Sequence, residues 1–392
     1  MSYRAIFAYA WDIAERGVAA SVDEVTGLGL NTVTFAGAYH AGKFLRPRAK
    51  NKVYFPEDGT AYFRFDEKRY GEVKPVLNSL VAGQDVLGDL CSHGGAAVNV
   101  WLVLLHNTRL GTAHPHLTVK NGLGDPYIYS LCPAAPAVRE YAVALCKDVS
   151  DRYPVMGLSL ETPGYLPFVH GYHHEFALNR PNVWLNAQLG LCFCEHCRAG
   201  AGNAGIDAGA LQARVRSGVE SYLASDFDLA DDMAAALWLA DVEGDAELAA
   251  FLRWRCDVVT SLVREIRAAV RSDCALAVIP SVERPTGGAW YEGSDLAALA
   301  EAAGTIEACF YEPSAERIAA AAWDVKRRVN GKGALRGVLR PAFPDLQGTD
   351  AVVAAATSLR NAGITDIGFY NYGFLRQRGL DAIPHAITAI DG

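Results

Sequence analysis

Eight short apolar runs, each rich in β-branched or aromatic residues and each ending in polar or turn residues, are spread along the chain. They are AIFAYAWD (5–12), NTVTFAGAYH (31–40), AAVNVWLVLLHN (96–107), VMGLSLETPG (155–164), CALAVIPSVE (274–283), IEACFYEP (306–313), LRGVLRPAFPD (335–345) and DIGFYNYG (366–373). Nearly continuous hydrophobicity without alternation is what a parallel strand buried on both faces requires. Helical patterns lie between them. ASVDEVTGLG offers Ser21 as an N-cap, Glu24 three residues on and a glycine stop. PAVREYAVALCKDVSDRY places Val138, Tyr141, Ala142 and Leu145 on one face, ELAAFLRWRCDVVTSLVREIRAAV is long and amphipathic, and DAVVAAATSLRNAG repeats the format. Eight strands alternating with helices predict an α/β fold, a (β/α)8 TIM barrel forming a single domain over residues 1–392. The competing doubly wound sheet lacks support, since no glycine-rich phosphate loop follows the first run. Long insertions are expected after strands 2 and 4. Residues 41–95 read as a hairpin-like subdomain, and 162–270 as a loop and helical segment carrying a cysteine cluster. Both leave from strand carboxyl ends, where such barrels build their active sites.

Charge and cysteine content narrow the function. With a net charge of −8, the chain has no basic field for nucleic acid or an anionic membrane. The amino terminus reads as a first strand rather than a signal peptide, and no uncharged apolar stretch is long enough for a membrane helix. Nine cysteines, an odd number at irregular spacing, do not make a secreted disulfide framework. A cytoplasmic protein is expected, with no nucleic-acid or membrane partner and with homo-oligomerisation left open.

Three of those cysteines, Cys192, Cys194 and Cys197, fall within GLCFCEHCRAG. C-x-C-x-x-C on a tight turn can aim three sulfurs at one point, where a fourth ligand would close a tetrahedral zinc shell. The plainer alternative is a set of buried, reduced thiols acting as small hydrophobes. LCPAAPAVREYAVALCKDVSDRYPVMGLSLETPGY followed by CFCEHC resembles the β-galactosidases of glycoside hydrolase family 42. Their barrels show a Cys-Pro before a helix, a strand-4 acid and a C-x-C-x-x-C in that order. The resemblance covers about residues 100–200. It implies one structural zinc per chain on Cys132, Cys192, Cys194 and Cys197, with Cys146 and His196 as alternatives for the fourth place. It also implies that Glu161 is the strand-4 acid. Two positions depart from the family pattern: Leu160 stands where an Asn precedes that acid, and Arg340 occupies the strand-7 position of the usual nucleophile.

The strand ends supply the candidate chemistry. Glu161 closes the apolar MGLSLE, so its carboxyl should be poorly hydrated, with a raised pKa suited to a general acid. Glu312 closes ACFYEP in the same way and is the expected nucleophile or second base, as glycoside hydrolysis needs two carboxylates. Glu283 is its rival; Asp12 and Asp345 are weaker candidates. Around them the other strand ends offer Trp11, Tyr39, His40, His106, Asn107, Arg340, Tyr370 and Asn371, a mixture of aromatic faces and hydrogen-bonding groups suited to a neutral, polyhydroxylated ligand. FVHGYHHEF brings His170, His173, His174 and Glu175, read as a lid over substrate, with a second metal as the lesser alternative. The expectation is a glycosidase acting on a small glycoside or oligosaccharide, with no organic cofactor. A metal-dependent sugar isomerase, epimerase or lyase, or a non-catalytic carbohydrate-binding barrel, are the competing readings.

Overall fold

The computed structural model describes residues 2–172, 178–179 and 181–392. Eight parallel strands form its centre: β1 (Arg4–Ala8), β2 (Thr32–Tyr39), β3 (Ala97–Val103), β4 (Gly157–Glu161), β5 (Ala275–Ile279), β6 (Gly304–Cys309), β7 (Ala334–Leu339) and β8 (Asp366–Phe369). Each pairs with the next, and β8 returns to β1 through Arg4–Ile367, Ala5–Gly368 and Ile6–Phe369, so the barrel closes. Closure removes every edge of an otherwise aggregation-prone apolar sheet. The register of β2 on β3 shifts between Ala36 and Ala38. Gly37 sits at that irregularity because a Cβ there would come within 2.5 Å of Val100.

Inward side chains stack in layers, as in other barrels of this kind. Asn99 of β3 donates to the Ser159 hydroxyl of β4 at 2.9 Å, and Ser159 donates to the buried Glu307 of β6. Two residues further along each strand lie Trp101, Glu161 and Cys309, which form the floor of the mouth. Helices cover the outside; Pro136–Arg152 buries Val138, Tyr141, Ala142 and Leu145, the face expected from its pattern. The helix at Val18–Gly27 begins earlier than its sequence suggests. Gly17 is the N-cap, and Ser21 lies inside the helix with its hydroxyl donating back to the Gly17 carbonyl at 2.9 Å.

Between β2 and β3 the chain forms a two-residue antiparallel pair, Phe44–Leu45 with Val53–Tyr54, and then Thr60–Ala61, which pairs antiparallel with the end of β2. Between β4 and β5 lie five helices from Val183 to Ala269. All five, with the loops between them, contribute to a core of their own around Leu191, Phe193, Leu211, Trp238 and Phe251. No helix among the described residues is long and apolar enough to cross a membrane.

Candidate active site at the barrel mouth

A cavity of about 260 Å3 opens at the carboxyl ends of the strands. Phe7, Tyr39, His40, Trp101, Glu161, His170, Ile279, Ser281, Val282, Arg284, Cys309, Tyr311, Arg340 and Tyr370 line it. Glu161 is the one carboxylate among these described lining residues. Its Oε2 accepts a hydrogen bond from the Trp101 indole at 2.5 Å. Burial pushes its pKa up to about 7, against the opposing effects of that hydrogen bond and of the Arg284 charge. A carboxyl poised near neutrality is matched to proton donation.

The turn after Glu161 is strained. Thr162, buried and β-branched, has φ of 51°, a conformation costing about 1–3 kcal/mol. The Leu104 and Leu105 amides hold it by donating to the carbonyls of Glu161 at 3.0 Å and Thr162 at 3.2 Å. Gly164 then passes so close to the Glu292 carbonyl that a Cβ would lie 2.2 Å from it. Glu292 in turn fixes the loop after β5: its buried carboxyl accepts from the Ser281 hydroxyl at 2.7 Å and the Val282 amide at 2.8 Å. Burial raises its pKa to about 8.

Aromatic and imidazole rings form the opposite wall. The Tyr9 hydroxyl reaches those of Tyr39 at 2.9 Å and Tyr370 at 2.8 Å. His40 stacks on Tyr39 and on His106, with both pairs of ring centres 4.2 Å apart. His106 also contacts His170 and bonds the Gly171 carbonyl at 3.0 Å. Burial, with the charges of His40 and Arg284, holds His170 at about 4, so it is a neutral imidazole at neutral pH.

Of the expected site residues, the cavity gathers Glu161, Tyr39, His40, His170, Arg340 and Tyr370. The others stand elsewhere. Glu312 is buried away from the lining and accepts from Arg317 at 2.6 Å. The reason is that β6 ends at Cys309, and Glu312, three residues further on, turns to Arg317 in the first turn of the following helix, Ala315–Val329. Trp11 is buried in a stack with Tyr9, Phe44 and Tyr54, because β1 ends at Ala8 and a helix begins at Ala10. Asp12 pairs with Arg46 at 2.7 Å and borders a separate cavity of about 220 Å3; burial raises its pKa to about 6. Asn107 caps the helix Thr108–Ala113. Asn371 bonds the Gly373 amide at 3.0 Å. Asp345 neutralises Arg340. Glu283 is half-buried in the β5 loop between the lining residues Val282 and Arg284. His173 lies outside the described residues, as do His174 and Glu175. Sequence reasoning missed Trp101, Arg284 and Tyr311; counting inward positions back from Glu161 along the paired strand β3 would have found Trp101, which sits opposite Ser159.

A larger cavity of about 480 Å3 lies off the barrel axis against the helices Asp231–Gly244 and Ala246–Ala269. It holds stacked Trp238 and Trp290 but no strand end. The barrel mouth is therefore the candidate active site.

Beside the mouth, and outside its lining, Cys132, Cys192, Cys194 and Cys197 converge with all four sulfurs within 4.8 Å of one another. All are buried, and none of the nine cysteines is in a disulfide. Cys132 lies 3.4 Å from Cys197, 3.5 Å from Cys194 and 4.0 Å from Cys192. A tetrahedral metal with bonds of about 2.3 Å to sulfur sets the sulfurs about 3.8 Å apart, so the cluster fits one. Hydrogen bonds from the other three thiols hold the Cys194 thiol well below the ordinary range, while burial pushes Cys132 and Cys197 up. Cys194 also caps the helix Glu195–Asn203 by accepting from the Cys197 amide at 3.5 Å. The cluster can hold a metal ion and ties the loop after β3 to the loop after β4. Cys146 and His196 lie outside it; among the described residues it is the one metal-competent group.

The fold has solved counterparts. The glycoside hydrolase domain of PgaB (BpsB) from Bordetella bronchiseptica is similar with a TM-score of 0.57 and 14% identity over 99% of each chain. A β-galactosidase from the psychrophilic Marinomonas ef1 gives 0.56 at 10% identity, over 99% of this chain and 59% of that one. The endo-1,4-β-mannanase of Rhizomucor miehei gives 0.51 at 10% identity, over 100% of this chain and 95% of the other. This chain thus spans less than two thirds of the galactosidase. The protein is a closed eight-stranded parallel α/β barrel whose structural neighbours include glycoside hydrolases. It matches no family model and no curated protein.

Proposed function

We propose that the protein is a glycoside hydrolase in which Glu161 is the general acid. The observation that carries this reading is a carboxyl with a pKa raised to about 7, at the end of β4, inside a ring-lined cavity. Glycosidic cleavage needs a proton on the departing oxygen as the bond breaks. Glu161 can supply it; the Trp101 hydrogen bond fixes its orientation and stabilises the carboxylate left behind. Aromatic faces of Tyr39, Tyr311 and Tyr370 offer surfaces for a sugar ring, and the volume suits about one sugar unit, being just below the range of drug-sized pockets.

For the second carboxylate, Glu283 is preferred over Glu312. Its neighbours Val282 and Arg284 line the cavity, whereas Glu312 is committed to Arg317. The segments 41–95 and 162–270 are read as barrel elaborations that wall the mouth. The metal at the cysteine cluster is read as a structural zinc, since four thiolates leave no open coordination position for substrate or water. The family 42 resemblance is accordingly read as one of the metal clip, not of the substrate.

The test is turnover of aryl glycosides by Glu161→Gln. Leaving groups that need protonation should suffer a loss of about 10²–10⁴-fold, and activated aryl groups far less in the glycosylation step. Equal losses for both classes would remove Glu161 as the acid.

A further inference from the structure

Two arginines enter the mouth from the ends of different strands, and one of them has no carboxylate partner among the described residues. Arg284, from the loop after β5, donates through Nη1 to the carbonyls of Ser281 at 3.2 Å and Glu283 at 2.6 Å. Its Nε is buried with no hydrogen-bond partner among the described residues. Arg340, at the end of β7, is paired through Nε with Asp345. Both guanidinium carbons lie 4.6 Å from the centre of the Tyr311 ring, so both arginines pack on the same lining residue.

Among the described lining residues the charge balance is positive. Arg340 is offset by Asp345, Glu161 holds its proton at the start of the reaction, and His170 is neutral. Arg284 has no ion-pair partner among the described residues, and the adjacent Glu283 stands outside the cavity lining. A half-buried cation with its Nε shielded from water would stay poorly solvated against sugar hydroxyls alone, which is unfavourable. An oxyanion on the substrate would satisfy it with charge-assisted, fork-shaped hydrogen bonds. The chain as a whole carries −8, so long-range attraction of anions is not available; preference must come from this local pair.

We propose that the mouth takes a glycoside whose sugar bears an oxyanion, a uronate carboxylate or a sulfate ester, held by Arg284 and Arg340. This replaces the neutral ligand expected from the rim residues alone. It rests on the reading of the Glu161 cavity as a carbohydrate site, and the experiment separates the two. Calorimetric titration at pH 6 compares glucuronate, galacturonate and the 6-sulfates of glucose and galactose with uncharged glucose and galactose. At least one anionic sugar should bind tenfold or more tightly than its uncharged parent, and whether uronate or sulfate does so identifies the anion.

Arg284→Gln should shrink that gap below threefold, and Arg284→Lys should keep part of it, since the charge remains without the fork. Should Arg284→Gln fail to fold, Arg340→Gln takes its place with the same expected narrowing. Uncharged sugars binding as tightly as every anionic counterpart, no binding by any of the six, or a folded Arg284→Gln retaining the full gap would each overturn the inference. Binding of anionic sugars without cleavage of any glycoside supports it and overturns only the hydrolase reading. Cleavage of neutral glycosides without anionic preference does the reverse.

Discussion

The cysteine cluster and the barrel mouth are built from neighbouring loops after β3 and β4, yet they use burial in opposite ways. In the cluster, four thiols are sealed from water and turned toward one another, so each is a partner of the rest. At the mouth, Glu161 stands without a second carboxylate in a lining that also faces open space, with one indole for a hydrogen-bond partner. Mutual satisfaction makes the first arrangement a fastener. A poorly satisfied titrating group beside a cavity makes the second a place where a proton can be handed over. The difference teaches that depth alone does not separate structural from reactive groups; the count of compensating partners does.

The largest effect should come from undoing the fastener. Chelation under mild denaturant, or Cys194→Ser, should release about one zinc per chain and destabilise the protein by about 5 kcal/mol or more, given the large folding contribution of structural zinc. Metal analysis beside thermal melting measures both. Unchanged melting of metal-free protein would erase the contrast between the two regions.

At the mouth the same kind of change should act on rate and not on folding. Glu161→Gln is expected to lower turnover by about 10²–10⁴-fold on poor leaving groups, with no loss of melting temperature. The acid must be protonated to act, so wild-type turnover should fall as pH rises through about 7.

A smaller effect lies in the pH dependence of stability. The folded pKa of Glu161 is raised from the ordinary 4.5 to about 7. Native protein therefore binds this proton more tightly than the unfolded chain, and stability declines as pH rises from 4.5 to 7. Glu161→Gln, which does not ionise, should be more stable than wild type at pH 8 by about 3 kcal/mol, and the two should converge near pH 4.5. Denaturant titrations at the two pH values report the difference; parallel curves would show that burial does not strain this carboxyl.

The weakest expected effect is that of Glu312→Gln. Its partner Arg317 is 59% exposed at the side chain, so the loss of the pair should cost about 1 kcal/mol and less than tenfold in turnover. Glu283→Gln should reduce turnover by 100-fold or more. If Glu312 proves the more damaging of the two, the assignment of the second carboxylate reverses.

Particular residues show what the sequence could carry. The barrel was legible because a parallel strand covered on both faces must be apolar nearly throughout, and each of the eight runs overlaps a barrel strand. Glu161 was legible for the same reason, as the first charge after such a run. Glu312 has the same local signature and a different fate, because β6 ends three residues before it, whereas Glu161 is itself the last residue of β4. Trp11 misled for another reason: helix Ala10–Arg16 starts within an apolar run that looks continuous. Arg284 was invisible as a cavity residue, since only the tertiary arrangement shows that it packs on Tyr311, as Arg340 does, and makes no ion pair among the described residues.

The hydrogen bond from Trp101 to Glu161 carries an optical consequence. An indole whose N–H points at a carboxyl experiences a different electric field, and a different route for excited-state quenching, once that carboxyl becomes an anion. Among the seven tryptophans, Trp101 is the one joined to this acid. The part of the intrinsic emission that changes between pH 5 and 8, and disappears in Trp101→Phe, is thus a label already built into the chain. It lets the ionisation of the acid be followed in the resting protein, with no substrate present.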